Sequence, residues 1–387
     1  MSKKVLSVLL ATAMTASLLV GCAGTVPTAT VDQPTATEEN KDDAQPTEDK
    51  TDDATPTSDA AGAKVGVAMP TKDLQRWNQD GANMKEKLEA AGYEVDLQYA
   101  SNSVETQVGQ IENMINGGCS VLVIASIDGE SLGTVLETAK AAGIPVIAYD
   151  RLIMKTDAVS YYATFDNYMV GTKQGQYIID TLDLDNAEGP FTMEITAGDP
   201  GDNNAGFFYN GAMDLLKPYI DEGKIEVKSG QVEFTDVATA SWATETAQSR
   251  MENILSTYYA DGTNLDICLC SNDSTALGVE NALAANYTGD YPIVTGQDCD
   301  IANVKNMIDG KQSMSIFKDT RTLAEQVVKM VTQILNGEEV EVNDTETYDN
   351  GDGYIVPSFL CEPVFADINN YEELLIESGY YTEADLQ

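Results

Sequence analysis

From residue 63 onward, short apolar runs alternate with longer segments whose apolar residues recur every three or four positions. The run 64–70 (KVGVAMP) predicts a strand, 74–92 a helix and 93–100 a second strand. In 104–117, Val104, Val108, Ile111 and Ile115 share one helical face. The run 121–126 (VLVIAS) is apolar at consecutive positions, as a strand buried on both faces of a parallel sheet would be. Helix 132–143 and strand 145–150 follow, and Gly92 and Gly143 stand where helix C-terminal caps belong. The alternation then repeats: strand 161–166, helix 168–182, strand 190–196, helix 205–220, strand 225–232 and helix 239–259. It continues with strand 265–271, helix 274–286, strand 291–296, helix 301–309, strand 313–317 and helix 322–335. A tail with a short strand at 354–356 and a helix at 371–378 closes the chain.

Alternating strands and helices give an α/β fold with parallel sheets. The segment is too long for one simple doubly wound sheet. A closed barrel of eight units is the rival in length. Two sheets are preferred because of what stands at the strand ends, where ligands of open α/β sheets bind. Successive ends read Tyr149-Asp150-Arg151, Phe165-Asp166-Asn167, Asp202-Asn203-Asn204, Ser271-Asn272-Asp273, Gly296-Gln297-Asp298 and Phe317-Lys318-Asp319. The first strand leads to Arg76-Trp77. Helix capping alone accounts for Asp202 or Asn203, Asp273 and Asp319 at least as well as a ligand does. It does not account for Arg151, Gln297 or Lys318. Carboxylates accept from hydroxyls, Arg and Lys donate to them, and Asn and Gln do both, so the mixture suits a polar, uncharged, hydroxyl-rich ligand such as a sugar. No glycine-rich phosphate loop occurs. The two tryptophans supply candidate stacking faces. Trp77 is also at helical spacing with Met84 and Leu88, so core packing is nearly as good an account of it. Trp242, in a small polar neighbourhood at a helix start, is assigned to the ligand.

Charge sharpens this picture. The chain has 63 acidic and 22 basic residues, no histidine, and a net charge of −41. Such acidity argues against nucleic acid and against adsorption to an anionic membrane. Lack of histidine removes Ser-His-Asp and Cys-His catalysis and the commonest zinc and iron sites. No cofactor or metal is expected. Asp344, Asp349 and Asp352 weakly resemble a calcium loop, but the twelfth position from Asp349 is Leu360, and a solvated loop is the better reading. Cys119, Cys268, Cys270, Cys299 and Cys361 are odd in number and suggest no disulfide framework. Carboxylates such as Asp298 and Asp300 keep a glycoside-active enzyme as a rival.

The N-terminus reads separately. Lys3 and Lys4 precede an apolar run too short to span a bilayer, which is the form of a secretion signal over 1–21. Its end, Leu19-Val20-Gly21-Cys22, resembles the lipobox of bacterial lipoproteins, which implies cleavage before Cys22 and lipidation of it. Residues 22–62 are rich in Thr, Pro, Ala, Asp and Glu and read as a disordered acidic tether.

Gln75-Arg76-Trp77, 107–116 (QVGQIENMIN), Ala148-Tyr149-Asp150-Arg151, Phe165-Asp166-Asn167, Asp202-Asn203-Asn204-Ala205, Ser271-Asn272-Asp273 and Gly296-Gln297-Asp298 together carry a resemblance over nearly all of 63–337. The chain resembles the sugar-binding proteins of bacterial ABC importers with the type I periplasmic-binding-protein fold, most of all the xylose and multiple-monosaccharide branch. The resemblance implies two Rossmann-like lobes joined by a three-crossing hinge, with 63–166 plus 297–337 as the N-terminal lobe and 167–296 plus 338–387 as the C-terminal lobe. It implies ligand roles for Arg76, Asp150, Arg151, Asn204, Asn272, Asp298 and Lys318, a contact from Asn167, and stacking on Trp242, in the first turn of the helix that begins at Thr239. Trp77 joins this set as the second aromatic. The expected partners are a monosaccharide, an ABC permease, and a membrane reached only through the lipid, with the protein acting as a monomer. A sugar-sensing receptor for chemotaxis or a sensor kinase would share the fold and the site. The tail after residue 338 and the stretch around Trp242 do not follow the family pattern.

Overall fold

The computed structural model describes residues 60–387 apart from Asp352. The signal segment, Cys22 and the tether up to residue 59 lie outside the described residues.

The first half builds one sheet. It runs β1 (Lys64–Met69), α1 (Gln75–Ala90), β2 (Glu94–Tyr99), α2 (Val104–Asn116), β3 (Val121–Ile124), α3 (Gly133–Ala141), β4 (Val146–Tyr149) and β5 (Tyr161–Phe165). These strands are all parallel, in the order β5-β4-β3-β1-β2. The strand period of two sorts the side chains. Val65, Val67 and Met69 of β1 join Val121, Val123 and Ile147 on one face, packed on Trp77, Met84 and Leu88 of α1. Ala68, Leu122, Ile124, Val146 and Ala148 face the other way, onto Ile111, Met114 and Leu136 of α2 and α3. Burial on both faces is why these strands are apolar at every position.

The chain then builds a second sheet from α4 (Asn167–Leu182), β6 (Phe191–Thr196), α5 (Asn203–Asp221), β7 (Ile225–Glu226), α6 (Phe234–Val237), α7 (Thr244–Tyr258), β8 (Ile267–Cys270), α8 (Asp273–Asn286), β9 (Ile293–Val294) and α9 (Ile301–Ile308). Its order is β7-β6-β8-β9, again parallel. Ile267 and Leu269 pack on one face with Ile178 and Leu216. Cys268 and Cys270 lie on the opposite face with Met251, Ile254 and Val279. Both are free, buried thiols, as are Cys119, Cys299 and Cys361.

Three connections pass between the sheets. The first follows Phe165, where β5 gives way to α4, which packs on α5. The second follows β10 (Met314–Phe317), leading to α10 (Thr320–Asn336), which packs on α1 and β5. The third lies between β11 (Ser358–Cys361), parallel to β5 in the first sheet, and β12 (Val364–Asp367), antiparallel to β10. A π-helical turn, Glu372–Glu377, follows.

These pairings place two lobe boundaries differently from the expectation of 297 and 338. β10 extends the second sheet, since Ser313 N donates to Val294 O at 2.9 Å and Gln297 bridges Ile316. Residues 338–361 belong with the first sheet, because β5 has an edge that only 358–361 covers among the described residues. The tail strand is therefore at 358–361, not 354–356. The strand expected over 225–232 is reduced to Ile225–Glu226.

The close crossing of α4 and α5 yields a test. A Cβ at Gly171 would stand 2.0 Å from the Phe208 carbonyl oxygen, a backbone atom that cannot swing aside. Gly171→Ala is expected to cost at least about 1–3 kcal/mol and to lower the calorimetric melting temperature by several degrees.

Candidate functional site

The carboxyl ends of the two sheets meet across a cleft. It is lined by Arg76, Trp77, Asp150, Arg151, Asn204, Trp242, Asn272, Asp298 and Lys318. Of the residues expected at the site, only Asn167 does not line it. Asn167 is the first residue of α4, fully buried, with its Nδ2 donating to Thr164 Oγ1 at 3.3 Å.

The centre of the cleft is an ion network around Arg76, in the first turn of α1. Its Nε donates to Asp80 at 2.9 Å, one helical turn on, and its Nη1 to Asp298 at 3.1 Å. Its Nη2 donates to Asp150. Lys318 reaches the same two acids, 3.4 Å from Asp298 and 3.7 Å from Asp150. Tyr149 donates its hydroxyl to the second oxygen of Asp80. Burial by itself would favour the neutral form of Arg76, but Asp150, Asp80 and Asp298 outweigh it and hold the guanidinium charged. Burial pushes Asp150 up, yet Arg76, Lys318 and Arg151 together bring its carboxyl below the usual range. Asp80 goes the other way, because burial exceeds the pull of Arg76.

A second pair lies beside the first. Arg151 Nε is 2.9 Å from Asp202, and Arg151 Nη1 donates to Ser126 O at 3.1 Å. Asp202 caps α5 by accepting from Asn204 N at 3.0 Å with one oxygen. The other oxygen faces Arg151 and accepts from Trp242 Nε1 at 3.2 Å. Capping and cleft chemistry are thus two uses of one carboxylate. Asn272 likewise caps α8 while lining the cleft.

Trp77 serves both readings given to it. It is in the apolar core of the first sheet, and the guanidinium carbons of Arg76 and Arg151 stand 5.3 and 5.0 Å from its ring. Trp242 packs edge-on against Phe208 at 6.1 Å. Its ring lies on Gly198, where a Cβ would come within 1.9 Å of it. The helix expected from Thr239 does not form there. A 3₁₀ turn spans Ala240–Trp242, Ser241 and Trp242 have φ of 56° and 55°, and α7 starts at Thr244.

Two other cleft residues share this left-handed backbone: Asp150 at φ 59° and Asp298 at φ 99°. Such conformations cost on the order of 1–3 kcal/mol each and persist only when surroundings over-determine them. At Asp150 the carbonyl accepts from Tyr162 at 2.6 Å, Thr164 at 2.9 Å and Asn204 at 2.7 Å. That turn directs the carboxylate into the cleft.

Asp80, Phe208 and Ser274 were not singled out by sequence, and Asp300, which lines the cleft, was weighed only as a carboxylate for a glycoside-active enzyme. The four-residue spacing of Arg76 and Asp80 was the available signal for one of them. The cleft location of Phe208 and Ser274 depends on tertiary packing alone.

Residues 65–339 match the family described as Periplasmic binding protein domain. The chain belongs to that family. This periplasmic binding protein is 50% identical over 327 residues to the multiple sugar-binding periplasmic receptor ChvE of Rhizobium radiobacter, covering 84% of this chain and 92% of the relative. It is 37% identical over 323 residues to the D-xylose-binding periplasmic protein of Escherichia coli K12, covering 84% and 92%. Among solved structures, an ABC transporter solute-binding protein from Clostridium phytofermentans with bound β-D-glucose is 74% identical, with a TM-score of 0.83, covering 84% of this chain and all of that one. A D-glucose complex from Chloroflexus aurantiacus is 36% identical, with a TM-score of 0.75, covering 83% and 97%. The fold is the two-lobed type I periplasmic-binding-protein fold.

The cleft carboxylates set a pH dependence. Burial, with Asp298 adding to it, raises Asp300 to about 7. Between the free value of an aspartate and about 7, the folded chain keeps a proton that the unfolded chain has lost. That contribution is complete below the free value and is lost as pH rises toward 7. Asp300→Asn is therefore expected to flatten the fall in melting temperature between pH 5 and 8, read by calorimetry of the sugar-free protein.

Proposed function

We propose that this periplasmic binding protein captures a monosaccharide of the glucose, galactose, xylose or arabinose type between its lobes and delivers it to an ABC permease. It acts as a monomer, held at the outer face of the cytoplasmic membrane by a lipid on Cys22. No helix among the described residues is long and apolar enough to cross a membrane. The observation that carries this reading is a cleft whose cations and carboxylates are already paired with one another while two indoles line it. Paired ions in a polar, enclosed site present fixed donors and acceptors at little further desolvation cost, and each hydrogen bond from a hydroxyl to a charged group contributes about 1.5–3 kcal/mol. The indoles offer apolar faces to the C–H surface of a pyranose.

The arrangement suits binding rather than turnover. Asp298 is engaged by Arg76 and Lys318, and Asp150 by the same two cations, so neither is placed as a free proton donor. The named sugars of the relatives support the substrate class. Because Arg76 projects from the first lobe and Asp298 from the second, a sugar that contacts both favours the closed arrangement over any open one, and closure is driven by that differential affinity.

A thermal-shift panel of D-glucose, D-galactose, D-xylose and L-arabinose tests the reading. At about 100 times Kd the stabilisation is roughly 2.7 kcal/mol. Absence of a shift with every aldose would exclude sugar capture. Asp150→Ala is expected to abolish the shift, since it leaves two buried cations short of an acceptor, and undiminished calorimetric affinity in that variant would remove Asp150 from the site.

A further inference from the structure

The last residues of the chain return to the ion network without lining the cleft. After the turn Glu372–Glu377, Leu375 and Tyr381 pack in a cluster with Cys299, Val304, Phe317 and Ala366. The hydroxyl of Tyr381 donates to Cys299 O at 2.9 Å and accepts from Gln75 Nε2 at 2.8 Å and Gln79 Nε2 at 3.1 Å. One oxygen thus ties the first lobe, through α1, to the loop after β9 in the second. Gln75 closes the circuit by accepting from Ile301 N at 3.2 Å. Tyr380 lies edge-on to Phe317 at 4.8 Å and donates to Gln79 Oε1 at 3.3 Å. Arg321 secures the segment, donating to Ser378 O at 3.0 Å with its guanidinium 4.9 Å from the Tyr380 ring.

Three anchors of this segment are each one residue from a member of the network. Gln75 precedes Arg76, Cys299 follows Asp298, and Phe317 precedes Lys318. The Asp298–Cys299 corner is moreover left-handed at both residues, with φ of 99° and 53°. Two consecutive non-glycine residues in that region need external restraint. Ser315 Oγ holds Cys299 N at 3.1 Å, and Tyr381 holds its carbonyl.

We propose that Tyr381 is a positioning residue for sugar capture: its phenolic oxygen fixes the first turn of α1 against the Asp298–Cys299 corner, so a tail outside the cleft sets the affinity of the cleft. The inference rests on the monosaccharide reading above. Tyr381→Phe keeps the ring in its cluster and removes the oxygen. A purely structural tyrosine would lower the melting temperature but leave the Kd of the folded protein unchanged at a temperature well below melting.

The test is calorimetric titration of the full chain with D-glucose and with D-xylose at low temperature, with folding checked by circular dichroism. Tyr381→Phe is expected to weaken binding about five- to tenfold, on the order of one to two lost hydrogen bonds. Tyr371→Phe, whose exposed hydroxyl donates to Glu372, is expected to bind within twofold of the unaltered protein. A Kd for Tyr381→Phe within twofold of the unaltered protein would overturn the proposal. If Tyr381→Phe does not fold, Gln79→Ala decides instead, with about threefold weakening in support and an unchanged Kd against. Failure of the unaltered protein to bind either sugar or any other aldose would overturn the sugar reading itself, and the positioning role with it. An unchanged Kd in the variant beside a binding parent overturns the positioning role alone.

Discussion

A guanidinium shared by three carboxylates is the constraint on which the rest of this structure depends. Arg76 is buried and meets Asp80 from its own helix, Asp150 from the end of β4 and Asp298 from the loop after β9. No single acid satisfies its donors. The charge is tolerable in the interior only because helix, first sheet and second sheet all converge on it, and deleting one member of such a set strands the others, typically at about 3–5 kcal/mol. Lys318 adds a second cation to two of the same acids, so the network holds both lobes by opposite charge across the cleft.

Much of the fold is legible in the sequence because each lobe buries both faces of a parallel sheet. That burial writes continuous apolar strands such as 121–124 and amphipathic helices such as α2. Which sheet a short strand joins is not written locally. Met314–Phe317 and Ser358–Cys361 are both four-residue segments, and their membership is decided by open hydrogen-bonding edges at β9 and β5, features of the assembled sheets. The lobe boundaries after the first crossing therefore lay beyond local pattern.

The cleft was legible to the extent that its residues stand at strand ends. Arg151 and Lys318 are poor helix caps, and both line the cleft. Reading a cap and a cleft residue as alternatives undervalued Asp202, whose two oxygens do both. Trp242 lines the cleft, but in a 3₁₀ turn rather than the expected first turn of a helix. The stretch DVATASWATETA carries no helix breaker, and the left-handed turn at Ser241–Trp242 is imposed from outside, with Ser241 N bonded to Asp199 and the ring seated on Gly198. Phe208 lies inside a regular helix, where nothing in the sequence sets it apart from core residues.

The pairing of β11 with β5 has a consequence for the order of assembly. The edge of the first sheet is supplied by residues 358–361, after strands β6 to β10 of the second lobe have passed. A chain read from its N-terminus thus presents β5 with an unpaired edge until nearly all of it is available, and such distant pairings are the slow ones. Because that edge strand stands so late in the chain, the sheet of the first lobe is complete only once residues 358–361 are in place beside β5.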